Sequence, residues 1–304
     1  MKPEALTYDK SADGAVVPSK VKDILTLAKP RVNTLVVATT AAGYYMAGPP
    51  ELDLVALALV CAGTALVAGG AAAINQVHEH DTDRLMLRTR LRPVADGRMS
   101  RREGTLIAAL MTIAGLAILG LVSNTAAVIV ALATFASYAG IYTPLKRRTS
   151  LATVIGAVPG ALPPLIGWAA VRGSVSGVQP WTLFLIMFLW QLPHFLAIAW
   201  IFREDYARAG LPMLTVVDKH GAFTGRQTTL WAAALIPFSQ LPYLFGMATA
   251  AYAVGAVVLG LAQLWLAFAF ARHRSIANAK ALFLASIVYL PLLWALMMVC
   301  RRLA

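Results

Sequence analysis

Long apolar runs separated by polar segments dominate this chain, and they predict an all-α protein that crosses a membrane repeatedly. A helix needs about 20 consecutive apolar residues to span the hydrocarbon core of a bilayer. Nine runs of roughly this length lie at 32–48, 53–75, 104–122, 125–142, 151–170, 181–201, 229–247, 250–271 and 281–300. We therefore expect a polytopic integral membrane protein with about nine transmembrane helices.

The composition supports a membrane protein. Of the 304 residues, 59% are hydrophobic and 13% are charged, whereas charged residues make up about 25% of a typical soluble domain. The residues before the first run are polar and contain no apolar segment typical of a signal peptide. We expect residues 1–28 to form a disordered cytoplasmic tail and residues 29–304 to form one intramembrane domain.

The basic residues are concentrated in alternate loops, which predicts the orientation of the chain. All of the 26 lysines and arginines except Arg172, Arg301 and Arg302 lie before the first run or in every second loop after it. This alternation follows the positive-inside rule and places the amino terminus in the cytoplasm. The net charge of +12 therefore indicates topology in a bacterial-type plasma (inner) membrane, and no nucleic acid is expected as a partner.

A spaced set of oxygen-bearing side chains ends the second apolar run. Asn75, Glu79 and Asp83 are four residues apart, so on a helix they lie along one face over about 12 Å. Acidic groups at a membrane boundary are costly and usually serve function, and Mg²⁺ prefers such oxygen ligands together with water and phosphate oxygens. We predict that these three residues are catalytic Mg²⁺ ligands in a membrane enzyme that handles a diphosphate ester. The alternative is an interfacial loop whose acids only pair with nearby arginines.

Basic side chains that could bind a diphosphate lie in two segments. Arginine binds phosphate oxygens bidentately, and lysine can stabilise the charge of a departing diphosphate. The candidate diphosphate ligands are Arg84, Arg88, Arg92, Tyr142, Lys146 and Arg147. Lys146 is also a catalytic candidate, because it could help the diphosphate to leave. The alternative is topological, since basic residues at these positions orient the chain whatever the substrate.

A third polar group lies in and after the sixth run. His194 is a polar residue inside an apolar span, so it needs a partner. It could ligate a metal, transfer a proton or hydrogen-bond to a neighbouring helix. Arg203, Glu204 and Asp205 follow the end of this run, and the two acids could complete a second metal site.

Both acidic motifs lie in long charged loops, at 76–103 and 202–227. Each loop follows the second helix of a group of four, an order that resembles a quasi-repeat of two four-helix units. We therefore expect both loops to surround one central cavity that opens to the cytoplasm.

These segments resemble the motifs of a known membrane family. Asn75-x-x-x-Glu79-x-x-x-Asp83 followed by Met86-x-Arg88-Thr89 resembles the first aspartate-rich motif of the UbiA-type prenyltransferases. Within that superfamily, the haem-farnesylating members are similar in Tyr142-x-x-x-Lys146-Arg-Arg, Gly160-Ala-x-Pro-Pro-x-x-Gly167, Trp190-Gln-x-Pro-His-Phe and Glu204-Asp205-Tyr206. The similarity runs in the expected order from about Lys29 to the last apolar run.

The resemblance implies nine helices around a lateral, lipid-accessible cavity, with Mg²⁺ as cofactor and farnesyl diphosphate and haem b as substrates. By this resemblance Asn75, Glu79 and Asp83 bind a Mg²⁺–diphosphate complex, with Arg88 and Lys146 on its phosphates. A farnesyl group is then transferred to a vinyl group of haem b, giving haem O for haem–copper oxidase biogenesis. The partners implied besides the lipid bilayer are a haem A synthase or oxidase assembly factors.

The chain departs from the wider superfamily at the second motif, which often has two aspartates at i and i+4. Here the local acids are Glu204 and Asp205, and the sequence leaves open which of them meets a metal, and whether His194 or His78 contacts haem iron. Two alternatives remain for the activity: a related prenyltransferase with another aromatic acceptor, or a membrane transporter. The acidic residues lie at helix ends next to lysines and arginines that can bind phosphate, which favours the enzyme.

Overall fold

The described part of the chain, residues 19–49 and 51–302 of a computed structural model, is helical. Its helices are α1 (Lys20–Ala28), α2 (Pro30–Met46), α3 (Leu54–His78), α4 (His80–Leu85), α5 (Arg101–Val122), α6 (Thr125–Ala136), α7 (Thr143–Leu145), α8 (Ala152–Ala161), α9 (Pro163–Arg172), α10 (Val178–Ile201), α11 (Arg203–Arg208), α12 (Leu214–Val217), α13 (Ala222–Phe238), α14 (Leu241–Leu244), α15 (Ala250–His273) and α16 (Ile276–Val299). A π-helical segment, Ser137–Tyr142, joins α6 to α7. Within these residues the only β structure is a bridge between Ala248 and Arg301, so the predicted all-α class is confirmed.

Seven helical stretches in the described part of the chain are long and apolar enough to cross a membrane. They are Leu54–His78, Arg101–Val122, Thr125–Leu145, Ala152–Arg172, Val178–Ile201, Ala250–His273 and Ile276–Val299. The predicted first and seventh runs correspond to α2 and α13, which have 17 residues each. A helix of this length extends about 26 Å, slightly less than the hydrocarbon core. The chain is an integral membrane protein, and the count of nine spans stays a prediction.

The tail predicted for residues 1–28 is wrong in its last part, because α1 is a helix. Leu27 in this helix is buried against α3, and the buried Asp23 carboxylate pairs with Arg98 at 3.0 Å. The apolar contact and the ion pair order a segment whose polar composition alone favours disorder. Residues 1–18 lie outside the described residues, so the prediction for them stays a prediction.

Small residues let the membrane helices approach one another closely. A Cβ atom on Gly43 of α2 would lie 2.0 Å from the Pro164 carbonyl oxygen of α9. From the opposite side, a Cβ atom on Gly167 of α9 would lie 1.9 Å from the Thr40 carbonyl oxygen of α2. Lipid gives no hydrophobic drive for helix association, so close packing of this kind holds membrane helices together. It keeps α2 firmly against α9.

Three interruptions of helices lie beside the central cavity. The chain changes from α3 to α4 at Glu79, and it changes from α8 to α9 at Leu162, just before Pro163. In the π-helical segment, both the backbone amide and the hydroxyl of Thr143 donate to the Tyr138 carbonyl five residues earlier. Single π-helical turns inside α-helices occur frequently at functional sites. All three interruptions therefore change the direction of side chains near the cavity.

Candidate active site

A central cavity of about 390 Å³ is surrounded by α2, α3, the end of α6 with its π-helical segment, α8 and α10. The interiors of these helices contribute mainly apolar and small residues, among them Val36, Ala68 and Ala71. The ionisable lining residues come from helix ends and from the segment after α4. The cavity thus has a charged end and apolar walls, which suits a molecule with an ionic head and a long hydrocarbon chain.

The three predicted metal ligands lie together on the wall of this cavity. Asn75 and Glu79 are 2% exposed, and Asp83 is fully buried. Although α3 ends at His78, the Glu79 amide donates to the Asn75 carbonyl at 2.9 Å and the Asp83 amide donates to the Glu79 carbonyl at 2.8 Å. Helix-like hydrogen bonds therefore continue across the junction of α3 and α4 and keep the three side chains on one face, as the spacing predicts.

Each of these side chains contacts a cation. The Lys146 ammonium lies 3.0 Å from both carboxylate oxygens of Glu79. Arg92 Nη1 donates to both oxygens of Asp83 at 2.9 and 2.7 Å, and Lys29 Nζ donates to Asn75 Oδ1 at 3.1 Å. Buried charges are tolerated only when they are paired and hydrogen-bonded, so these contacts explain how two carboxylates are kept at a membrane boundary.

The same neighbours change the protonation of the cluster. Burial, together with the nearby Arg92 guanidinium, lowers the pKa of Lys29 to about 7. For the Glu79 carboxyl, burial by itself raises the pKa, but Lys146 and Lys29 together hold the pKa below its ordinary value. Glu79 is therefore ionised at neutral pH and available as an oxygen ligand.

Lys146 directly follows α7, and its position beside Glu79 depends on the segment before that helix. The π-helical segment precedes it, and Tyr138 and Tyr142 from this segment line the cavity beside the ammonium group. The two tyrosine rings contact one another with their centroids 5.2 Å apart. Asn75 Nδ2 donates to the Thr143 hydroxyl at 3.3 Å, which ties α3 to the same segment.

Arg88 also lines the cavity, and the second motif contacts its surroundings. The backbone amides of Leu87 and Arg88 both lie 3.4 Å from carboxylate oxygens of Asp205, which is buried. The Arg88 guanidinium donates to the Tyr206 hydroxyl at 3.4 Å and lies over the Phe202 ring. The loops that follow α3 and α10 therefore meet beside the cavity. The Asp205 carboxylate accepts from backbone amides of the loop that follows α3.

Six of the predicted site residues do not line the cavity, the buried Asp205 among them. Arg84 Nε donates to the Ala95 carbonyl, Arg203 lies over the Trp200 ring, and Arg147 and Glu204 are exposed. His194 faces α16, where its Nδ1 lies 2.6 Å from the Ser286 hydroxyl. His194 comes three residues after Gln191 and four before Ile198, which both line the cavity, so it lies at the edge of the cavity wall and turns toward α16.

Several residues that line the cavity did not stand out in the sequence. The most important is Lys29, whose only signal is a lysine a few residues before the first apolar run. Tyr206 and Tyr138 belong to quoted or neighbouring segments, but nothing in their spacing singles them out. Gln191 contributes an amide to the wall and donates to the Ala157 carbonyl at 2.8 Å.

The donor set at the charged end suits Mg²⁺. No group of three or more histidine, cysteine or acidic residues with metal-site geometry is present in residues 19–49 and 51–302. Mg²⁺ needs no such closed cage, because it usually takes one or two carboxylates and completes its shell with water and substrate phosphates. The carboxylates of Glu79 and Asp83 and the amide oxygen of Asn75, all facing one cavity, fit this pattern.

Comparison with known proteins identifies the class. The UbiA prenyltransferase family matches residues 36–296, so the chain belongs to that family and is a membrane prenyltransferase. Individual relatives within this family carry the name protoheme IX farnesyltransferase. The protein of Solibacter usitatus is 41% identical over 290 residues, which cover 92% of this chain and 99% of the relative. That of Opitutus terrae is 43% identical over 284 residues, covering 93% and 96%.

Solved structures share the fold. Digeranylgeranylglyceryl phosphate synthase has a TM-score of 0.76 at 18% identity, covering 92% of this chain and 98% of that one. A UbiA homologue from Archaeoglobus fulgidus bound to GPP and Mg²⁺ has a TM-score of 0.67 at 15% identity, covering 90% and 99%. These likenesses confirm the expected UbiA-type bundle, and the transporter alternative is not favoured.

Proposed function

We propose that this protein transfers a farnesyl group from farnesyl diphosphate to a vinyl carbon of haem b, giving haem O. The observation that carries the proposal is the cavity itself, in which four cationic and two acidic side chains at one end adjoin apolar walls. The acceptor is inferred from the relatives that are about two-fifths identical over nearly the whole chain. We infer that the chain lies in a bacterial inner membrane with its amino terminus in the cytoplasm.

The charged end would bind the diphosphate. Arg88, Arg92 and Lys146 line it together with Lys29, whose pKa is about 7. The three other basic side chains alone outnumber the two carboxylates, so an anionic head group finds a surplus of positive charge. Lysine and arginine donors aimed at diphosphate oxygens stabilise the charge that grows as the group leaves. The farnesyl chain would extend along the apolar walls, which exclude water.

Asn75, Glu79 and Asp83 would hold Mg²⁺. When bound, the metal neutralises charge on the diphosphate and so promotes its departure. The protein's own part is to present these ligands on one face of the α3–α4 junction. Lys146 and Arg92, now paired with Glu79 and Asp83, are close enough to exchange those carboxylates for phosphate oxygens.

The transfer would proceed by ionisation of the donor. The allylic C–O bond breaks and its electron pair stays on the diphosphate. The aromatic rings of Tyr138 and Tyr142, which line the cavity, would stabilise the developing carbocation. The vinyl group supplies the electron pair for the new C–C bond and becomes cationic in turn. A water molecule adds to this second cation and loses a proton, which leaves a hydroxyethylfarnesyl group. Farnesyl diphosphate, haem b and water are thereby converted into haem O, diphosphate and a proton.

The reaction can be tested by mass spectrometry of haem extracted after incubating the purified protein, in lipid, with haem b, farnesyl diphosphate and Mg²⁺. We expect a product heavier by one farnesyl group and one hydroxyl group, and we expect EDTA to abolish it. Unmodified haem from a folded protein would contradict the acceptor assignment. Geranyl and geranylgeranyl diphosphates in parallel reactions measure how strictly the cavity selects chain length.

A further inference from the structure

His194 is a titratable residue of α10 that the proposed chemistry leaves without a role. It lies in a membrane-spanning helix, and its Nδ1 is 2.6 Å from the Ser286 hydroxyl on α16. Ser286 has a single hydroxyl hydrogen, which it donates to the Phe283 carbonyl at 2.6 Å. Ser286 can therefore only accept from the imidazole. The hydrogen bonds thus assign the proton to Nδ1 of His194 and leave a lone pair on Nε2.

This Nε2 makes no hydrogen bond with any of the described residues, although the ring itself is held firmly. The Trp190 ring stacks on the imidazole with centroids 5.0 Å apart, and Phe283 and Phe195 contact it at 5.1 and 5.5 Å. Trp190 is fixed in turn by donating to the Ser286 carbonyl at 2.9 Å. The side chain of His194 is partly exposed, and its Nε2 is not among the fully buried unpaired polar atoms of the described residues. An unsatisfied polar atom in this environment is costly.

The imidazole lies beside a lateral opening of the central cavity. Phe195, the next residue, lines the cavity and is also 37% exposed, and Val32 on α2 lines it and is 62% exposed. Side chains that face both the cavity and the surrounding lipid mark its mouth. His194 projects from α10 about 40° away from Ile198, another lining residue. A ligand held by Nε2 would therefore lie next to the mouth.

We propose that His194 is the axial ligand that holds the iron of the haem acceptor at this lateral opening. This deepens the proposed function and rests on it. A neutral imidazole whose Nδ1–H is fixed by a hydrogen bond and whose Nε2 is open has the arrangement of a metal-ligating histidine. Iron held at the mouth lets an edge of the porphyrin enter the cavity, while the charged end stays available to the diphosphate. Ser286 is the positioning residue, because it fixes the tautomer and the ring.

The test measures binding by spectroscopy, separately from turnover. Wild-type protein in lipid nanodiscs is titrated with haemin and with metal-free protoporphyrin IX, and absorption and electron paramagnetic resonance spectra are recorded. We expect His194→Ala to bind haemin at least about tenfold more weakly, to lose the histidine-ligated spectrum, and to keep its affinity for metal-free protoporphyrin. Added imidazole should restore the spectrum. His194→Gln should behave like His194→Ala. Ser286→Ala should bind haemin with an affinity between that of His194→Ala and that of the wild type.

A matched control is His273→Ala, which removes an exposed histidine at the end of α15 and should leave the spectra unchanged. A wild-type spectrum and affinity in His194→Ala would overturn the ligand assignment while leaving the proposed function intact. Equal losses for haemin and for metal-free protoporphyrin, without rescue by imidazole, would overturn it too, because they indicate a packing role. A wild-type protein that binds no haem would overturn this proposal and the proposed function together.

Discussion

The polar segments after α3 and after α10 both put acidic residues at the end of a membrane helix, yet these acids meet different partners. In the first segment Glu79 and Asp83 face the cavity and pair with the cationic side chains of Lys146 and Arg92. In the second, Asp205 contacts backbone amides of the first segment and Glu204 is exposed. The first segment thus presents groups to a ligand, whereas the second supports the first. Similar composition therefore does not mean equivalent chemistry.

The comparison predicts the largest loss for an acid of the first segment. Asp83→Asn removes a charge that would bind Mg²⁺, and we expect kcat to fall by about 10²- to 10³-fold or more. The measurement is farnesyl transfer in nanodiscs, with size-exclusion chromatography as the control for folding. Near-normal activity in a folded variant would refute the metal role of Asp83.

A smaller loss is expected for the cation that pairs with Glu79. Lys146→Ala should weaken binding of farnesyl diphosphate by about 10- to 100-fold and leave haem affinity nearly unchanged, because the ammonium lies at the charged end. Separate titrations with each ligand measure this. Arg147→Ala is the matched control, since its side chain is the exposed neighbour. Equal losses of both affinities in Lys146→Ala would indicate general damage to the protein.

The second segment should give the smallest effects, and its two acids should differ. Asp205→Ala removes the acceptor for the Leu87 and Arg88 amides, so we expect KM for farnesyl diphosphate to rise by about tenfold as the loop loosens. Glu204→Ala should stay within about twofold of wild type, because exposed polar groups contribute little. Steady-state kinetics measure both. If Glu204→Ala is the more damaging change, the supporting role assigned to the second segment is wrong.

Much of the fold follows from the sequence, because lipid makes the helical signal strong. Runs of apolar residues must be helical where backbone groups cannot bond to water, and spacing alone brings Asn75, Glu79 and Asp83 to one face. The order of α1 could not be predicted in this way. It depends on the pairing of Asp23 with Arg98, residues 75 positions apart.

The rest of the candidate site depends on contacts between distant segments. Lys29 joins it only because α2 packs beside α3, where the Lys29 ammonium meets Asn75. Nothing local distinguishes His194, which faces α16, from Gln191, which faces the cavity, since both are single polar residues in an apolar run. The two residues are three positions apart on α10, so their side chains project in different directions. Which of them meets the cavity depends on where the neighbouring helices lie.

The π-helical turn between α6 and α7 determines the direction in which Lys146 projects relative to α6. A π-helical turn holds one residue more than an α-helical turn, so the segment Ser137–Tyr142 behaves like a one-residue insertion that the helix has absorbed. Winding the same residues as regular α-helix would rotate Lys146 by about 100° relative to α6, away from Glu79. Such a change would disable the site while leaving each of its side chains in the chain. Activity at this site can thus be lost through the winding of a single turn, without any substitution among the residues that line the cavity.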